Sequence, residues 1–184
     1  MTATAPQVVV TGTLVRIREK RLEDAALDHE WRKDPELAAY DAAQPLTMSL
    51  RAYVATVADE IETPATHRRS YSIDTLDDDR HIGNLMYYGY DPGRAEAELG
   101  ITIGDRGYWS RGYGSDAVKA MLCFLFDEMG MRRVYLHTLT WNDRAQQAFT
   151  RAGFLRVREV RRGGYDFVLM EVLREQFELE RAGD

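Results

Sequence analysis

The segment Trp109-Ser-Arg-Gly-Tyr-Gly-Ser-Asp-Ala117 lies between a strand-like run that ends near Ile103 and an apolar run that predicts a helix from about Asp116. Glycines on both sides of Tyr113 allow a tight turn and leave the backbone N–H groups uncovered by side chains. These groups, with the free N–H groups and positive dipole end of the helix, form a site for an anion. Arg111 adds a fixed charge that can bind two phosphate oxygens. The segment therefore predicts a phosphate-binding turn.

The length and charge of the chain restrict its class. A chain of 184 residues is long enough for one domain with a full core. We expect a single domain over residues 1–184, with a core at about residues 13–177 and flexible ends. The net charge of −6 disfavours nucleic acid as a partner, because no excess of basic residues is present to contact phosphates. No apolar run reaches the length of a membrane span, so no membrane partner is expected either. The sequence leaves a homodimer open.

The cysteine and histidine content argues against a metal centre. Cys123 is the single cysteine, which excludes an internal disulfide and fits a reducing cytoplasm. The four histidines are scattered, without a pair at the spacing of metal ligands. We therefore expect a cytoplasmic protein whose site holds no metal.

Hydrophobic periodicity predicts an α+β fold. Val8 to Arg18 is predicted as a strand or a hairpin arm, and two helices follow it. Short turns at Asp77-Asp-Asp79 and Asp91-Pro-Gly93 separate three strands, which predicts antiparallel pairing. A buried helix over Asp116 to Met129 comes next, then strand, helix and two strands. The tail after Arg174 is charged and is expected to be a frayed helix or disordered. The order predicts an α/β/α sandwich with one mixed, mostly antiparallel sheet of about seven strands and helices on both faces.

A second motif follows the buried helix at Asn142-Asp-Arg-Ala-Gln-Gln-Ala-Phe-Thr-Arg-Ala-Gly-Phe154. The glycine turn, the buried helix, a strand and this motif, in that order and at that separation, resemble the GNAT N-acetyltransferase superfamily. The resemblance is to the branch that acetylates ribosomal-protein N-termini and related small amines. Tyr108-Trp109 and the run from Asp166 to Arg174 are similar to that branch. The resemblance extends from about Thr13 to Phe177.

This resemblance implies direct transfer of an acetyl group from acetyl-CoA to a primary amine, either a protein N-terminus or a small amine. The pyrophosphate would lie on backbone N–H groups of Arg111 to Ser115. The pantetheine arm would pair with the strand near Ile101 and Ile103 like an added strand, and the adenine end would lie near Arg144 or Arg151. The residues assigned to acetyl-CoA in this way are Ile101, Thr102, Ile103, Trp109, Arg111, Gly112, Tyr113, Gly114, Ser115, Asn142, Arg144, Phe149 and Arg151.

The catalytic assignments are Glu98 and Asn142. An alkylammonium must lose a proton before it can attack a thioester, and Glu98 is the predicted acceptor, directly or through water. Glu96 shares the same strand face and is interpreted as solvent-exposed. Asn142 is a helix N-cap by residue type, and the resemblance adds a hydrogen bond to the pantetheine arm. Phe149 stands where many members place a proton-donating tyrosine, so the general acid stays open.

Two alternatives compete with acetyl transfer. Gly112-Tyr-Gly-Ser-Asp-Ala117 matches the G-x-G-x-x-A dinucleotide fingerprint, which would indicate an NADP-dependent oxidoreductase. About eight residues separate the fingerprint from its strand, and arginines stand about 20 residues on, where that fold places an acid. The other alternative is a non-catalytic acyl-CoA sensor, which Phe149 would suit. An acceptor cleft is predicted among Trp31, Tyr71, Tyr87, Tyr88 and Tyr90.

Overall fold

The computed structural model describes residues 7–183, so the expectation of flexible ends falls outside it at residues 1–6 and 184. The strands are β1 (Val8–Thr11), β2 (Val15–Glu19), β3 (Arg69–Thr75), β4 (His81–Asp91), β5 (Glu96–Ile103), β6 (Arg133–Leu139), β7 (Leu155–Arg162) and β8 (Tyr165–Leu173). The helices are α1 (Ala25–Lys33), α2 (Pro35–Tyr40), α3 (Leu50–Glu62), α4 (Tyr113–Cys123), α5 (Asp143–Arg151) and α6 (Arg174–Gly183). Single helical turns lie at Leu22–Asp24, Arg106–Tyr108 and Phe124–Glu128.

The strands form one sheet in the order β1-β2-β3-β4-β5-β6-β8-β7. β5 and β6 run parallel, and the other neighbouring strands run antiparallel. The predicted mixed, mostly antiparallel sheet is therefore confirmed, with eight strands instead of about seven. The extra strand arises because residues 8–18 form a complete hairpin, whose turn is closed by a 2.8 Å bond from the Gly12 N–H to the Val15 carbonyl.

Helices cover both faces of the sheet, as predicted. The Thr102 hydroxyl on β5 donates to Asp41, which directly follows α2, at 3.2 Å. Ile103 points to the other face, where α4 begins, because successive strand side chains alternate. A Cβ built on Gly114 of α4 would lie 3.7 Å from the Ile103 Cγ1 atom. α2 and α4 therefore pack on opposite faces.

The buried helix begins three residues earlier than the sequence predicts. Gly112 is its N-cap residue at φ +90°, and the Asp116 N–H already bonds to the Gly112 carbonyl at 2.9 Å. The Asp116 carboxylate accepts the N–H groups of residues 13, 14 and 15 at 2.8–3.0 Å. Asp116 therefore ties the β1–β2 turn to the first turn of α4. The α-helix ends at Cys123, a π-helical turn follows, and Gly130 at φ +67° ends the run.

The charged tail forms helix α6, so of the two predicted alternatives the structure shows the helix. Phe177 of α6 is 6% exposed, and its ring centroid lies 5.2 Å from that of Phe126 in the core. This apolar contact attaches the helix to the body of the protein. No helix within residues 7–183 has both the length and the apolar character needed to cross a membrane.

A buried ionic network joins β2, β3 and β4 to the start of α1. The Arg18 guanidinium, 1% exposed, donates to Asp24 at 2.7 and 2.8 Å and to Asp74 at 2.6 and 2.9 Å. His81 lies between Asp74 and Asp28, with Nε2 3.0 Å from the Asp28 carboxylate. Burial alone would lower the pKa of His81, but hydrogen bonds to the two carboxylates outweigh it and raise the pKa above 6.5.

Candidate functional site

The parallel strands β5 and β6 separate in the middle of the sheet. Their pairing ends at Glu98 opposite Tyr135, and residues 99–103 have no partner on that side. A cavity of about 710 Å³ extends from this fork to the start of α4. Its walls include residues 99–103 of β5 and residues 137–139 of β6. The fork therefore opens a channel between two strands of one continuous sheet.

The open edge of β5 presents unpaired backbone groups to this channel. The Gly104 N–H bonds toward β4, to the Ile82 carbonyl at 2.9 Å. In an antiparallel pair the N–H and C=O of alternate residues point to opposite edges, so those of Ile101 and Ile103 point to the channel. The Trp109 indole N–H donates to the Ile103 carbonyl at 2.6 Å, so this carbonyl is already occupied. Within residues 7–183, the Ile101 N–H and C=O and the Ile103 N–H stay free for a bound chain.

The turn into α4 supplies free N–H donors at the other end of the channel. The first four N–H groups of a helix have no hydrogen-bond partner within it. In α4 these are the N–H groups of Gly112 through Ser115, and none of them donates to an acceptor within residues 7–183. Gly112, Gly114 and Ser115 line the cavity. Gly112 requires glycine because its φ is +90°, whereas Gly114 has ordinary helical geometry. The predicted phosphate-binding turn thus lies at the cavity wall.

Two residues of the turn point away from the cavity. Tyr113 is 8% exposed, and its ring packs edge-on against Tyr108 with centroids 4.9 Å apart. The Arg111 guanidinium donates to the Gly107 carbonyl at 3.0 Å and lies over both tyrosine rings. The donors that face the cavity in this arrangement are therefore backbone N–H groups, and binding of phosphate by Arg111 stays a prediction.

Aromatic rings and Arg144 form the wall beside Ile103. The Arg144 guanidinium carbon lies 3.5 Å from the Trp109 ring centroid and 4.7 Å from that of Tyr40. Such stacking holds an arginine in a fixed position. Arg151 also lines the cavity and is exposed at its rim. Tyr40 has no distinguishing pattern in the sequence, because it reaches the site from α2 through tertiary packing.

Asn142 occupies the position that the sequence predicts. Its side-chain oxygen accepts the Ala145 N–H at 3.2 Å, which confirms the N-cap, and the residue lines the cavity at 7% exposure. Within residues 7–183, its amide NH₂ has no protein acceptor and can donate into the channel. Phe149 of the same helix is 7% exposed and also lines the cavity, but its ring offers no proton.

Glu98 does not stand alone at the fork. It is 7% exposed, and its Oε1 atom lies 2.7 Å from Nδ1 of His137. His137 lines the cavity and Glu98 does not. Sequence reasoning missed His137, because a histidine inside a strand ordinarily reads as half-buried packing. Glu96, interpreted as solvent-exposed, is instead partly buried and paired with Arg133 at 2.9 Å.

The predicted acceptor aromatics divide into two groups. Trp31, Tyr87 and Tyr88 line the cavity. Tyr71 is 3% exposed within the core, and Tyr90 lies outside the cavity wall. Among residues 7–183, no group of three or more His, Cys, Asp or Glu side chains is placed to hold a metal ion. Of the residues predicted from sequence, the structure brings together at this cavity Ile101, Thr102, Ile103, Trp109, Gly112, Gly114, Ser115, Asn142, Arg144, Phe149 and Arg151.

Comparison with known proteins agrees with this geometry. Residues 15–155 match the family described as acetyltransferase (GNAT) domain. A stretch of 119 residues, 64% of the chain, is 26% identical to the "Uncharacterized N-acetyltransferase p20" of Bacillus licheniformis and spans 66%, just under two thirds, of that relative.

Solved structures show the same fold. The spermidine N-acetyltransferase of Vibrio cholerae in complex with CoA and spermine has a TM-score of 0.78 at 16% identity, with 89% of this chain and 98% of that one covered. The aminoglycoside acetyltransferase AAC(6')-Ib with coenzyme A has a TM-score of 0.73 at 19% identity, covering 91% and 99%. The narrower resemblance to the ribosomal-protein branch stays a prediction. The family match covers residues 15–155, which is more than half of this chain. The chain therefore belongs to the GNAT superfamily of N-acetyltransferases, as the resemblance predicted.

Proposed function

We propose that this protein transfers the acetyl group of acetyl-CoA to the primary amine of a small cationic molecule. One observation carries the proposal: a free strand edge and a helix start with free N–H groups at Gly112, Gly114 and Ser115 line a single cavity. The strand edge suits the amide-bearing pantetheine arm, which can pair as an added strand. The helix start suits the pyrophosphate. Both halves of coenzyme A thus have complementary partners in one channel.

The donor arm would pair with the free groups of Ile101 and Ile103, while the Asn142 amide would donate to it from the opposite wall. Gly112, Gly114 and Ser115 would bind the pyrophosphate. The adenine end would lie beside Arg151, at the exposed rim, with Arg144 held against Trp109 near the same wall. Backbone N–H groups near Ile101 would stabilise the oxyanion that develops on the thioester carbonyl.

The acceptor amine would approach from the sheet face that carries Glu98. Aromatic rings line this part of the cavity, and such rings attract ammonium groups through their negative faces. Trp31 and Tyr88 supply two of them, whereas Tyr87, opposite Leu99 in register, lies on the other sheet face. A similarly folded protein is described in complex with spermine and another as an aminoglycoside acetyltransferase, which supports small polycations over protein N-termini as the acceptor class.

The reaction then needs a proton acceptor at the fork. The Glu98–His137 pair lies at that position and has the required chemistry. Phe149 cannot protonate the departing thiolate. A thiolate needs this help less than an alkoxide would, because the pKa of a thiol is about 8.5. Direct transfer in a ternary complex requires no covalent enzyme intermediate.

Thiol release from acetyl-CoA tests the proposal with spermidine, an aminoglycoside and an alanine-starting peptide as acceptors. We expect turnover with the first two at kcat/KM values at least tenfold above that of the peptide. A preference for the peptide would overturn the acceptor class. Thermal shift with CoA and with NADP runs beside it. Stabilisation by NADP alone would restore the oxidoreductase alternative, and stabilisation by CoA without turnover of any amine would favour the sensor.

A further inference from the structure

Glu98 and His137 form a hydrogen-bonded pair at the fork, and the two residues can have different roles in proton transfer. The two side chains are similarly buried, at 13% exposure for His137 and 10% for Glu98, but only His137 lines the cavity. We infer that His137 is the catalytic base that takes the proton from the acceptor amine, and that Glu98 is a positioning residue that orients the imidazole ring. This inference rests on the proposed acetyl transfer and assigns one step of it.

The position of His137 follows from the fork. β5 and β6 pair up to Glu98 and Tyr135 and then separate. His137 lies two residues beyond Tyr135, so it shares the sheet face of Tyr135 and projects at the point where the strands diverge. Its ring can therefore reach back to Glu98 with Nδ1 while its other edge faces the opening channel.

The hydrogen bond also determines the tautomer. An ionised carboxylate can only accept, so Nδ1 must carry the hydrogen that bonds to Glu98 at 2.7 Å. In the neutral ring the lone pair then lies on Nε2. The resulting imidazolium would be stabilised by the Glu98 charge. This is the arrangement that a general base requires, with one nitrogen held by the carboxylate and the other carrying the lone pair that accepts the proton.

Charged and titratable groups face the ring from each neighbouring strand. Arg162 on β7 has its Nη1 atom 3.1 Å from Nδ1, 3.5 Å from Nε2 and 4.0 Å from the Glu98 carboxylate. Because Nδ1 donates to Glu98 it cannot also accept from Arg162, so Nη1 can donate only to Nε2, at the long distance of 3.5 Å, and the acceptor ammonium would replace this contact. The guanidinium also acts on the pair through its charge. Its side chain is 55% exposed, which weakens that effect.

The remaining neighbours are neutral. Tyr88 on β4 lies opposite Glu98 in register, and Tyr135 on β6 meets the His137 ring edge-on at 6.1 Å. Partial burial, and then the charge of Glu98, raise the pKa of both phenols above 10, so neither carries charge at neutral pH. Phe167 on β8 contributes an apolar ring at 6.2 Å. Among residues 7–183, Glu98 and Arg162 are therefore the charged side chains that contact the imidazole.

The acceptor R–NH₃⁺ gives one proton to Nε2 of His137, which frees the nitrogen lone pair. That lone pair forms the C–N bond to the thioester carbon, and the carbonyl π electrons move to oxygen. When they return, the C–S bond breaks and the thiolate takes the second amine proton as a thiol. The imidazolium then releases its proton to water.

The tautomer can be measured without turnover. Long-range ¹H–¹⁵N spectra of ¹⁵N-histidine-labelled protein, assigned with His137→Gln, should show Nδ1 protonated and Nε2 bare in the neutral ring. Glu98→Gln, whose amide can donate as well as accept, should raise the fraction of the tautomer with the hydrogen on Nε2. A wild-type spectrum with the hydrogen on Nε2, or a tautomer ratio unchanged by Glu98→Gln, would overturn the inference whether or not an acceptor is found.

Kinetics with acetyl-CoA and spermidine supply the second test. His137→Gln should lower kcat/KM about 100-fold or more, the usual effect of losing a general base. Glu98→Gln should lower it less, because the base itself is kept and only its orientation is loosened. The exposed His67→Gln is the control and should change nothing. Wild-type turnover with a His137→Gln rate within threefold would sink the inference alone, whereas absent CoA binding would sink the proposed function.

Discussion

Replacement of Gly112 by alanine should reduce both folding stability and coenzyme A affinity. Gly112 has φ +90° and ψ −13°, a left-handed conformation that costs an L-residue about 1–2 kcal/mol. A Cβ at this position would lie 3.5 Å from the Leu14 Cδ1 atom, which is an ordinary contact. The cost therefore falls on the backbone, and a turn that relaxes to negative φ redirects its N–H groups.

Gly114→Ala is the matched control, two residues away in the same turn. Its Cβ would meet Ile103 at 3.7 Å, again an ordinary contact, and its backbone is helical. Alanine is favoured over glycine within a helix by about 1 kcal/mol. The two substitutions each add one methyl group, but they should change the free energy of unfolding in opposite directions.

The effect on binding follows from the lost donors. A hydrogen bond to a charged group contributes about 1.5–3 kcal/mol, so misdirection of two N–H groups would cost about 3 kcal/mol. At 1.4 kcal/mol per decade, the Kd of CoA should rise about 100-fold in Gly112→Ala. Gly114→Ala keeps the direction of its N–H groups and should stay within about tenfold.

Isothermal titration with CoA gives the affinities, and urea unfolding gives the stabilities. If folded Gly112→Ala binds CoA as tightly as the wild type, the backbone of this turn does not hold the pyrophosphate. Equal destabilisation by the two alanines would instead show that φ at Gly112 has no special role.

Three further predictions concern the network and the cap. Arg18→Met leaves buried carboxylates uncompensated and should lower the free energy of unfolding in urea by about 3–5 kcal/mol. Arg16→Met, at a partly exposed pair, should lower it by under about 1 kcal/mol. Similar losses of stability in the two variants would refute the burial argument. His81 has a raised pKa, so its stabilisation is complete below pH 6.5 and is lost as pH rises through the folded pKa. Asp28 has a lowered pKa, so its contribution is lost only in acid, below about pH 3.8. Urea unfolding from pH 5 to 9 should show a smaller alkaline decline in His81→Gln than in the wild type, and parallel curves would contradict the ion pairs. Asn142→Asp keeps the cap but loses the amide donor, so CoA affinity should fall at unchanged stability, whereas Asn142→Ala should also lose about 1 kcal/mol; unchanged affinity in both variants would remove Asn142 from the donor site.

Residue types and their local spacing were sufficient to predict the glycine turn, the helix N-cap at Asn142 and the family. Gly112 indicates a left-handed backbone conformation that other residues avoid, and Asn142 indicates the start of a helix. Both signals depend only on residues close in sequence. The separation of these two motifs led to the superfamily, which the family match confirms. The sequence also placed Ile101 and Ile103 on one side of a strand. It could not show which edge of that strand stays unpaired, because that depends on where β6 diverges.

The chemistry at the fork required the tertiary structure. Glu98 and His137 are 39 residues apart and belong to strands joined through α4, so their 2.7 Å contact has no local signature. Arg162 on β7 reaches the same ring from two strands away, across β8, and this contact depends on the order of the strands in the sheet. Arg111 reads as a phosphate ligand in sequence but turns toward Gly107. Residue types and short spacings were enough to predict the backbone groups that we propose as the donor site. The pairing order of distant strands decided which side chains meet, because such contacts depend on topology and leave no trace in neighbouring residues.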